Sequence, residues 1–196
     1  RSGTRSSRVL GRVSPAAIMG DDMDTALDIT IREADGMREF GAKLGALLLG
    51  GDLIVLDGPL GAGKTTLAQG IAEGMGVRGR VTSPTFTIAR VHAALGAGPD
   101  LVHVDAYRIG ALEEVDALDL DASADTSATV VEWGAGKVEA LASDRLTVRI
   151  ARPEGGGQGP DDIFEDCPRD VSVSASGPRS RSIVESLRAA VFEGDE

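Results

Sequence analysis

One stretch of eight residues constrains this 196-residue chain more than any other. Residues 58 to 65 read GPLGAGKT and fit the phosphate-binding pattern G-x-x-x-x-G-K-[ST]. Glycines allow the backbone to curl around a phosphate chain without Cβ clashes, so that several N–H groups converge on one anion. A lysine in this pattern reaches the β- and γ-phosphates, and the hydroxyl that follows it can ligate Mg²⁺. The pattern predicts a nucleotide site formed by Gly58, Gly61, Ala62, Gly63, Lys64, Thr65 and Thr66.

The segments on either side of the motif support this interpretation. Residues 52 to 57 form a short apolar run of the kind expected for a buried parallel strand. After the motif, Leu67, Ile71 and Met75 recur at helical spacing, and two glycines near Met75 can end the helix. A strand, a glycine-rich turn and a helix are the arrangement that phosphate binding requires, because the positive end of the helix dipole then faces the anion.

Charge and composition exclude several classes of protein. Residues 1 to 18 contain four arginines and no acid, and because the whole chain carries −11, the remainder carries −15. An acidic body argues against autonomous binding to DNA or RNA, where Lys and Arg contacts to phosphate dominate affinity. We find neither a secretory signal nor an apolar run long enough to span a membrane. The single cysteine excludes an intramolecular disulfide, so we predict a cytoplasmic protein.

The chain is predicted to form one domain with an extension. Residues 1 to 26 are interpreted as a disordered basic leader, and residues 27 to 193 as a single domain. The Gly- and acid-rich segment from 152 to 169 is predicted to be a mobile insertion.

Hydrophobic periodicity predicts the elements of this domain. Predicted strands cover residues 27–31 (as an edge strand), 52–57, 81–89, 101–105, 128–133, 145–150 and 170–174. Predicted helices start near residue 33 and after the glycine-rich motif, and two more cover 111–120 and 181–192. The last two strands alternate with period two, as exposed antiparallel strands do. The predicted fold class is α/β: a three-layer P-loop NTPase fold with a mostly parallel central sheet, flanking helices and antiparallel strands toward the C-terminus.

Two acids end predicted strands and are candidates for the chemistry of the site. Asp105 closes the apolar run 101–104, where a metal-positioning acid is expected, although an Asp at a strand end can also cap a turn. Glu132 follows two valines in the same way and could order a water or hold Mg²⁺ through one, unless it is a plain surface residue. Because parallel strands end at one edge of a sheet, both acids could face the same crevice.

Four other side chains have weaker signals. Thr85 lies where switch-type loops bring a hydroxyl to Mg²⁺ or the γ-phosphate, but Ser-Pro-Thr is also ordinary turn chemistry. His92 and His103 have no Cys or His partner at metal-ligand spacing, so both are interpreted as structural. Trp133 could stack on a base, although core packing is the more frequent use of tryptophan.

Four blocks of sequence, taken in order, resemble a known family. They are GPLGAGKTT at 58–66, SPTFT at 83–87, HVDAYR at 103–108 and EW at 132–133. This series, across about residues 28 to 150, is similar to the bacterial TsaE (YjeE) family, small ATPases of the tRNA threonylcarbamoyladenosine pathway. The resemblance implies binding and hydrolysis of ATP with Mg²⁺, slow without partners, and a complex with TsaD and TsaB that modifies adenosine 37 of tRNA. Contact with tRNA would then be indirect, through the complex.

The resemblance also implies roles for individual residues. Lys64 and Thr65 would bind phosphate and Mg²⁺, Thr85 would belong to a switch-like segment, and Asp105 to the metal site. Glu132 would be the catalytic acid, also near the metal, and Trp133 would adjoin the nucleotide. The predicted catalytic residues are therefore Glu132, Lys64 and Asp105, and the predicted metal ligands are Thr65, Thr85, Asp105 and Glu132.

The sequence departs from the family pattern at two positions. Pro59 stands where Asp is usual, and Gly134 stands where Pro often follows Glu-Trp. Two alternatives stay open: a small-molecule or nucleoside kinase, which would need an Arg-bearing lid, and a non-catalytic nucleotide-gated binding module.

Overall fold

A single mixed β-sheet runs through the part of the chain that the structure describes. This computed structural model describes residues 9–11, 26–79, 81–82, 89–108, 125–136, 138, 142–152 and 168–192. The strands are β1 Val9–Gly11, β2 Ala26–Ile31, β3 Leu53–Asp57, β4 Ala89–His92, β5 Asp100–Asp105, β6 Ser127–Glu132, β7 Leu146–Ala151 and β8 Arg169–Ala175. The helices are α1 Ala34–Gly45, α2 Lys64–Met75 and α3 Pro178–Phe192, with a 3-10 helix at Ala106–Arg108.

The strand order places a parallel centre between antiparallel flanks. Among the described residues the order is β1-β2-β8-β7-β3-β6-β5-β4. β3 pairs in parallel with both β6 and β7, and β5 pairs in parallel with β6. The remaining pairs, β1–β2, β2–β8, β7–β8 and β4–β5, are antiparallel. The predicted fold class, with a mostly parallel central sheet and antiparallel strands toward the C-terminus, is confirmed.

Two details of strand placement differ from the sequence prediction. β2 is not an edge strand, because it lies between β1 and β8. β7 is antiparallel to β8 but parallel to β3, so it joins the two parts of the sheet. Alternating hydrophobicity reports that one face of a strand is buried, and it carries no information about which neighbours pair with that strand.

The described α-helices share one face of the sheet and form the larger core with it. This core is mostly aliphatic, with Phe40 buried inside it and Phe192 packed against it. In α3, Ile183 and Leu187 lie one turn apart and are buried, whereas Ala190 is exposed. On the other face, valines of β3, β5 and β6 pack with Ala106 and Val138. The helix predicted at 111–120 lies outside the described residues.

Helices α1 and α2 touch backbone to backbone through glycines. A Cβ atom added at Gly45 would lie 2.1 Å from the carbonyl oxygen of Ile71, and one added at Gly74 would lie 2.1 Å from that of Ala42. The glycine one turn earlier in each helix makes the same kind of contact. No side chain larger than hydrogen fits at these positions, so α1 rests directly on the helix that follows the GPLGAGKT motif.

The described residues cover little of the leader and of the predicted insertion. Val9–Gly11 form a strand that pairs with residues 29–31, and the other residues before 26 lie outside the described part. Of the segment 152–169, only its ends are described. No helix in the described part is both long enough and apolar enough to cross a bilayer.

Candidate functional site

The GPLGAGKT motif forms a tight loop between the end of β3 and the start of α2. Its glycines Gly58, Gly61 and Gly63 have φ values of 148°, 74° and 109°, which side chains other than hydrogen rarely tolerate. A Cβ atom at Gly58 would lie 2.4 Å from the carbonyl oxygen of Ile150, so the loop also packs closely against β7. Gly63 is the N-cap of α2, and the first helical residue is Lys64. The predicted strand, turn and helix are therefore all present.

The side chain of Lys64 lies inside this loop and not in solvent. It is 5% exposed, and its Nζ donates hydrogen bonds to the carbonyl oxygens of Gly58, at 2.6 Å, and Pro59, at 2.9 Å. Burial lowers the pKa of Lys64, and the nearby carboxylates of Glu132, Asp57 and Asp105 oppose that shift. The cation therefore sits among acids at the mouth of the sheet, held by the loop that it belongs to.

Trp133 covers this lysine. The centroid of its ring lies 3.5 Å from the Nζ of Lys64, and Tyr107 approaches the ring edge-on with centroids 5.3 Å apart. Trp133 has φ 62°, a conformation that is uncommon for residues other than glycine. Its backbone N–H donates to the carbonyl oxygen of Leu56 at 3.1 Å. The tryptophan is thus held over the phosphate loop by backbone geometry and a cation–π contact, and it is not part of the core.

Glu132 is the most deeply buried acid beside this loop. It is 2% exposed, and the Thr65 hydroxyl donates to both of its carboxylate oxygens, at 3.0 and 3.1 Å. The Nε2 atom of His103 lies 2.9 Å from Oε1 of the same carboxylate. Glu132 is thereby joined to the first turn of α2 on one side and to β5 on the other.

Asp105 ends β5 at the same level of the sheet, since its Cα pairs with that of Glu132. It is 5% exposed, and one of its oxygens accepts a hydrogen bond from the N–H of Tyr107 at 2.9 Å. This contact caps the 3-10 helix, so the turn-capping alternative describes a contact that is present.

The structure brings together most of the residues that the sequence singled out. Lys64, Thr65, Glu132 and Trp133 are linked by direct contacts, and Asp105 lies in register beside Glu132. Thr85 lies outside the described residues. The sequence analysis interpreted His103 as structural and did not predict its contact with Glu132. The period of two in β5 was the available signal, because it puts residues 103 and 105 on one face.

The donor set fits a nucleotide and a magnesium ion. Left-handed glycines leave backbone room for an anion, and a hydroxyl and carboxylates supply the oxygen ligands that Mg²⁺ prefers. Within the described ranges, no group of three or more His, Cys, Asp or Glu side chains could hold a metal alone. A P-loop site does not need one, since phosphate oxygens and waters complete the coordination.

Comparison with known proteins identifies the relationship. A family model, Threonylcarbamoyl adenosine biosynthesis protein TsaE, matches residues 31–158. The chain is 63% identical over 120 residues to the tRNA threonylcarbamoyladenosine biosynthesis protein TsaE of Streptomyces coelicolor, covering 61% of this chain and 81% of that protein. It is 37% identical over 138 residues to the Bacillus subtilis protein of the same name, covering 70% and 78% of the two chains.

A solved structure supports the same relationship. The crystal structure of YdiB from Bacillus subtilis superposes with a TM-score of 0.64 at 28% identity, covering 85% of this chain and 96% of that one. Both the sequence and the fold therefore match across most of the relatives' length. This chain belongs to the TsaE family of tRNA threonylcarbamoyladenosine biosynthesis proteins.

Proposed function

We propose that this protein binds and hydrolyses ATP with Mg²⁺, and that it acts with TsaD and TsaB in the threonylcarbamoylation of adenosine 37 in tRNA. The observation that carries the proposal is the cluster at the end of β3. A buried carboxylate, Glu132, lies in direct contact with Thr65 of the phosphate loop, and Lys64 lies within the same loop. These are the groups that phosphoryl transfer to water requires.

In this proposal the loop and Lys64 hold the phosphates, while Thr65 and Asp105 supply oxygen ligands for the metal. The bound Mg²⁺ would neutralise charge on the phosphates. Glu132 accepts hydrogen bonds but carries no proton to donate when ionised, so it suits the orientation of an attacking water. Trp133 lies where it would adjoin the bound nucleotide, because it already covers Lys64.

The family and the charge of the chain support the proposed partners. The chain carries a net charge of −11, which disfavours direct, independent binding to tRNA. Contact with tRNA is therefore proposed to run through the TsaD–TsaB complex, in the cytoplasm. Hydrolysis by the protein alone is expected to be slow, because catalytic groups in nucleotide switches are often completed by a partner.

The test is ATP hydrolysis with Mg²⁺, first with the protein alone and then with TsaB, TsaD and a substrate tRNA. We expect slow turnover alone, a changed rate with the partners, and more modified adenosine. Phosphate transfer to a small acceptor, unaffected by the partners, would instead identify a kinase. Tight ATP binding without turnover under any condition would identify a nucleotide-gated binding module.

A matched pair of lysine variants controls this experiment. Lys64→Ala should lower ATP affinity by roughly 100-fold or more, because it removes a charge-assisted contact to the phosphates. Lys43→Ala removes a lysine of α1 that pairs with Glu39 at the surface, and it should leave ATP affinity unchanged. Equal effects of the two variants would contradict the assignment of the site.

A further inference from the structure

We propose that His103 is a positioning residue that holds the carboxylate of Glu132 in its working orientation; this inference rests on the proposed ATP hydrolysis. The ring is completely buried, at 0% exposure, and its Nε2 lies 2.9 Å from Oε1 of Glu132. A ring N–H at this distance donates a hydrogen bond to the carboxylate.

The two donors to Glu132 differ in what they can fix. The Thr65 hydroxyl is shared between both carboxylate oxygens at 3.0 and 3.1 Å, so it does not select one rotation of the group. The imidazole contacts Oε1 alone, and its ring cannot move without displacing the surrounding core. The contact with His103 therefore distinguishes Oε1 from Oε2, and Oε2 keeps acceptor capacity for a further partner.

The position of His103 in the sheet explains why it acts through Glu132 and does not touch a ligand. In the parallel pairing of β5 and β6, Asp105 is opposite Glu132, and His103 is opposite Val130, one step deeper in the sheet. Residues 103 and 105 of a strand lie on the same face, so the imidazole lies beneath the acids. The His103 ring is fully buried, so it can orient the Glu132 carboxylate but cannot itself reach a ligand in the loop.

A purely structural role accounts poorly for a histidine at this position. Its neighbours on the same face of the sheet, Leu101 and Val130, are buried and apolar, and the Nδ1 atom of His103 is buried without a hydrogen-bond partner among the described residues. An apolar side chain would avoid that unpaired atom. The bond to Glu132 is the one polar contact of the ring in the described part of the structure, and it is made to an acid of the candidate site.

The test compares substitutions that remove or keep the donor. His103→Leu keeps the bulk without an N–H, and His103→Gln keeps an N–H at similar reach. His92→Leu is the matched control, because His92 is the only other histidine, is also buried, and contacts the Arg78 carbonyl. We expect kcat of His103→Leu to fall about tenfold or more, as for other groups that orient a catalytic ligand, with the ATP Kd within about twofold of the wild type.

The expected result for His103→Gln is a kcat within about threefold of the wild type, and for His92→Leu an unchanged kcat per folded molecule. Loss of ATP binding in parallel with kcat, or equal losses in His103→Leu and His103→Gln, would overturn the proposal. A double-mutant cycle sharpens it: in a Glu132→Gln background, His103→Leu should cause no further loss of kcat, whereas an additive loss would show that His103 acts elsewhere.

A measurement without turnover separates this inference from the proposed function. With only two histidines in the chain, nitrogen-15 labelling of histidine allows the ring N–H signals to be assigned with His92→Leu. We expect a slowly exchanging Nε2–H signal of His103 that shifts in Glu132→Gln. A signal that is absent from the wild type, or unmoved by Glu132→Gln, would overturn the proposal. If the wild type hydrolyses no ATP, the proposed function fails, and this signal still decides whether His103 holds Glu132.

Discussion

Two buried carboxylates lie at opposite ends of the central strands and have different kinds of partner. Asp52, just before β3, is 7% exposed, and Glu132, at the end of β6, is 2% exposed. Burying a charge is costly unless hydrogen bonds or an opposite charge compensate, so each must be satisfied locally. The nature of that compensation separates a carboxylate that stabilises the fold from one that is available for chemistry.

Asp52 forms a bidentate ion pair with Arg179. Arg179 of α3 donates from Nε to Oδ1 at 3.0 Å and from NH2 to Oδ2 at 2.7 Å. The N–H of Leu49 adds a third hydrogen bond at 2.8 Å, and Arg179 also reaches the carbonyl of Leu47. This network ties the exit of α1, the start of β3 and α3 together, and the Asp52 side chain is only 5% exposed.

Glu132 is satisfied by groups that a ligand can engage in turn. Its carboxylate contacts the Thr65 hydroxyl and the His103 ring, and Lys64 donates to carbonyls of the loop. A hydroxyl accepts as well as donates, so Thr65 can serve a second partner without leaving the acid. Burial alone therefore does not mark a functional carboxylate, and we propose that burial with adaptable donors beside a phosphate loop does.

The largest expected effect tests whether the Asp52–Arg179 pair stabilises the fold. Arg179→Met should lower the free energy of unfolding by about 3 kcal/mol, because it leaves Asp52 buried without its charge partner. Chemical denaturation measures this, with Arg38→Met as the control, since Arg38 pairs with Asp35 at the surface and should change stability by less than about 0.5 kcal/mol. We expect kcat per folded molecule to stay close to that of the wild type. A large fall in kcat of Arg179→Met would contradict the comparison, because the Asp52 pair would then also affect catalysis.

The next effect tests the proposed role of Glu132 in ATP hydrolysis. Glu132→Gln should slow ATP hydrolysis by roughly 100-fold or more while leaving ATP affinity within about threefold, because it removes the acceptor for a water proton. Single-turnover kinetics and equilibrium binding measure the two quantities. Glu73→Gln, an exposed position on α2, provides the control. Parallel loss of binding and hydrolysis in Glu132→Gln would place the acid in ground-state binding instead.

A smaller effect concerns the tryptophan over Lys64. Phosphates and the Trp133 ring compete for the same ammonium group, so ATP should displace the ring and change its fluorescence. Trp133 is the only tryptophan in the chain, and the signal therefore has one source. The change should saturate with the affinity measured directly and disappear in Lys64→Ala. An unchanged emission spectrum at saturating ATP would mean that Trp133 stays on the lysine.

The smallest expected effect is a dependence of stability on pH, which arises at His92. Burial lowers the pKa of His92 below the ordinary 6.5; its bond to the Arg78 carbonyl opposes this shift, while His103 and Arg90 add to it. The unfolded chain then binds the proton first, so stability falls as pH drops below about 6.5 toward the lowered pKa. Urea denaturation at pH 7.5 and 5.5 should show a smaller loss for His92→Gln than for the wild type. Equal losses would contradict this.

The sequence predicted what is encoded locally. The phosphate loop, its strand and helix, and the acids at strand ends are all short-range patterns, and each appears where the spacing put it. The glycines that join α1 and α2 also recur every fourth residue in each helix, so that contact had a readable signal. Each of these signals is contained in a short stretch of sequence, even where, as for the glycines, the contact itself joins two separate helices.

The features that the sequence did not predict depend on long-range pairing. The bond between His103 and Glu132 joins residues 29 apart, and the Asp52–Arg179 pair joins residues 127 apart. Neither separation has a periodic signature, because both arise from the order of strands in the sheet. The parallel pairing of β7 with β3 could not be predicted for the same reason. The alternating hydrophobicity of β7 is compatible with either direction of pairing.

The strand order also determines when the nucleotide site can exist as the chain is made. β3 precedes the loop, yet both of its neighbours, β6 and β7, are synthesised much later. A nascent chain that ends before β6 carries the complete GPLGAGKT motif on a strand with no partner, and non-local pairs of this kind form late in folding. Binding of ATP would therefore report that the central sheet has assembled around β3, and not merely that the motif has been synthesised.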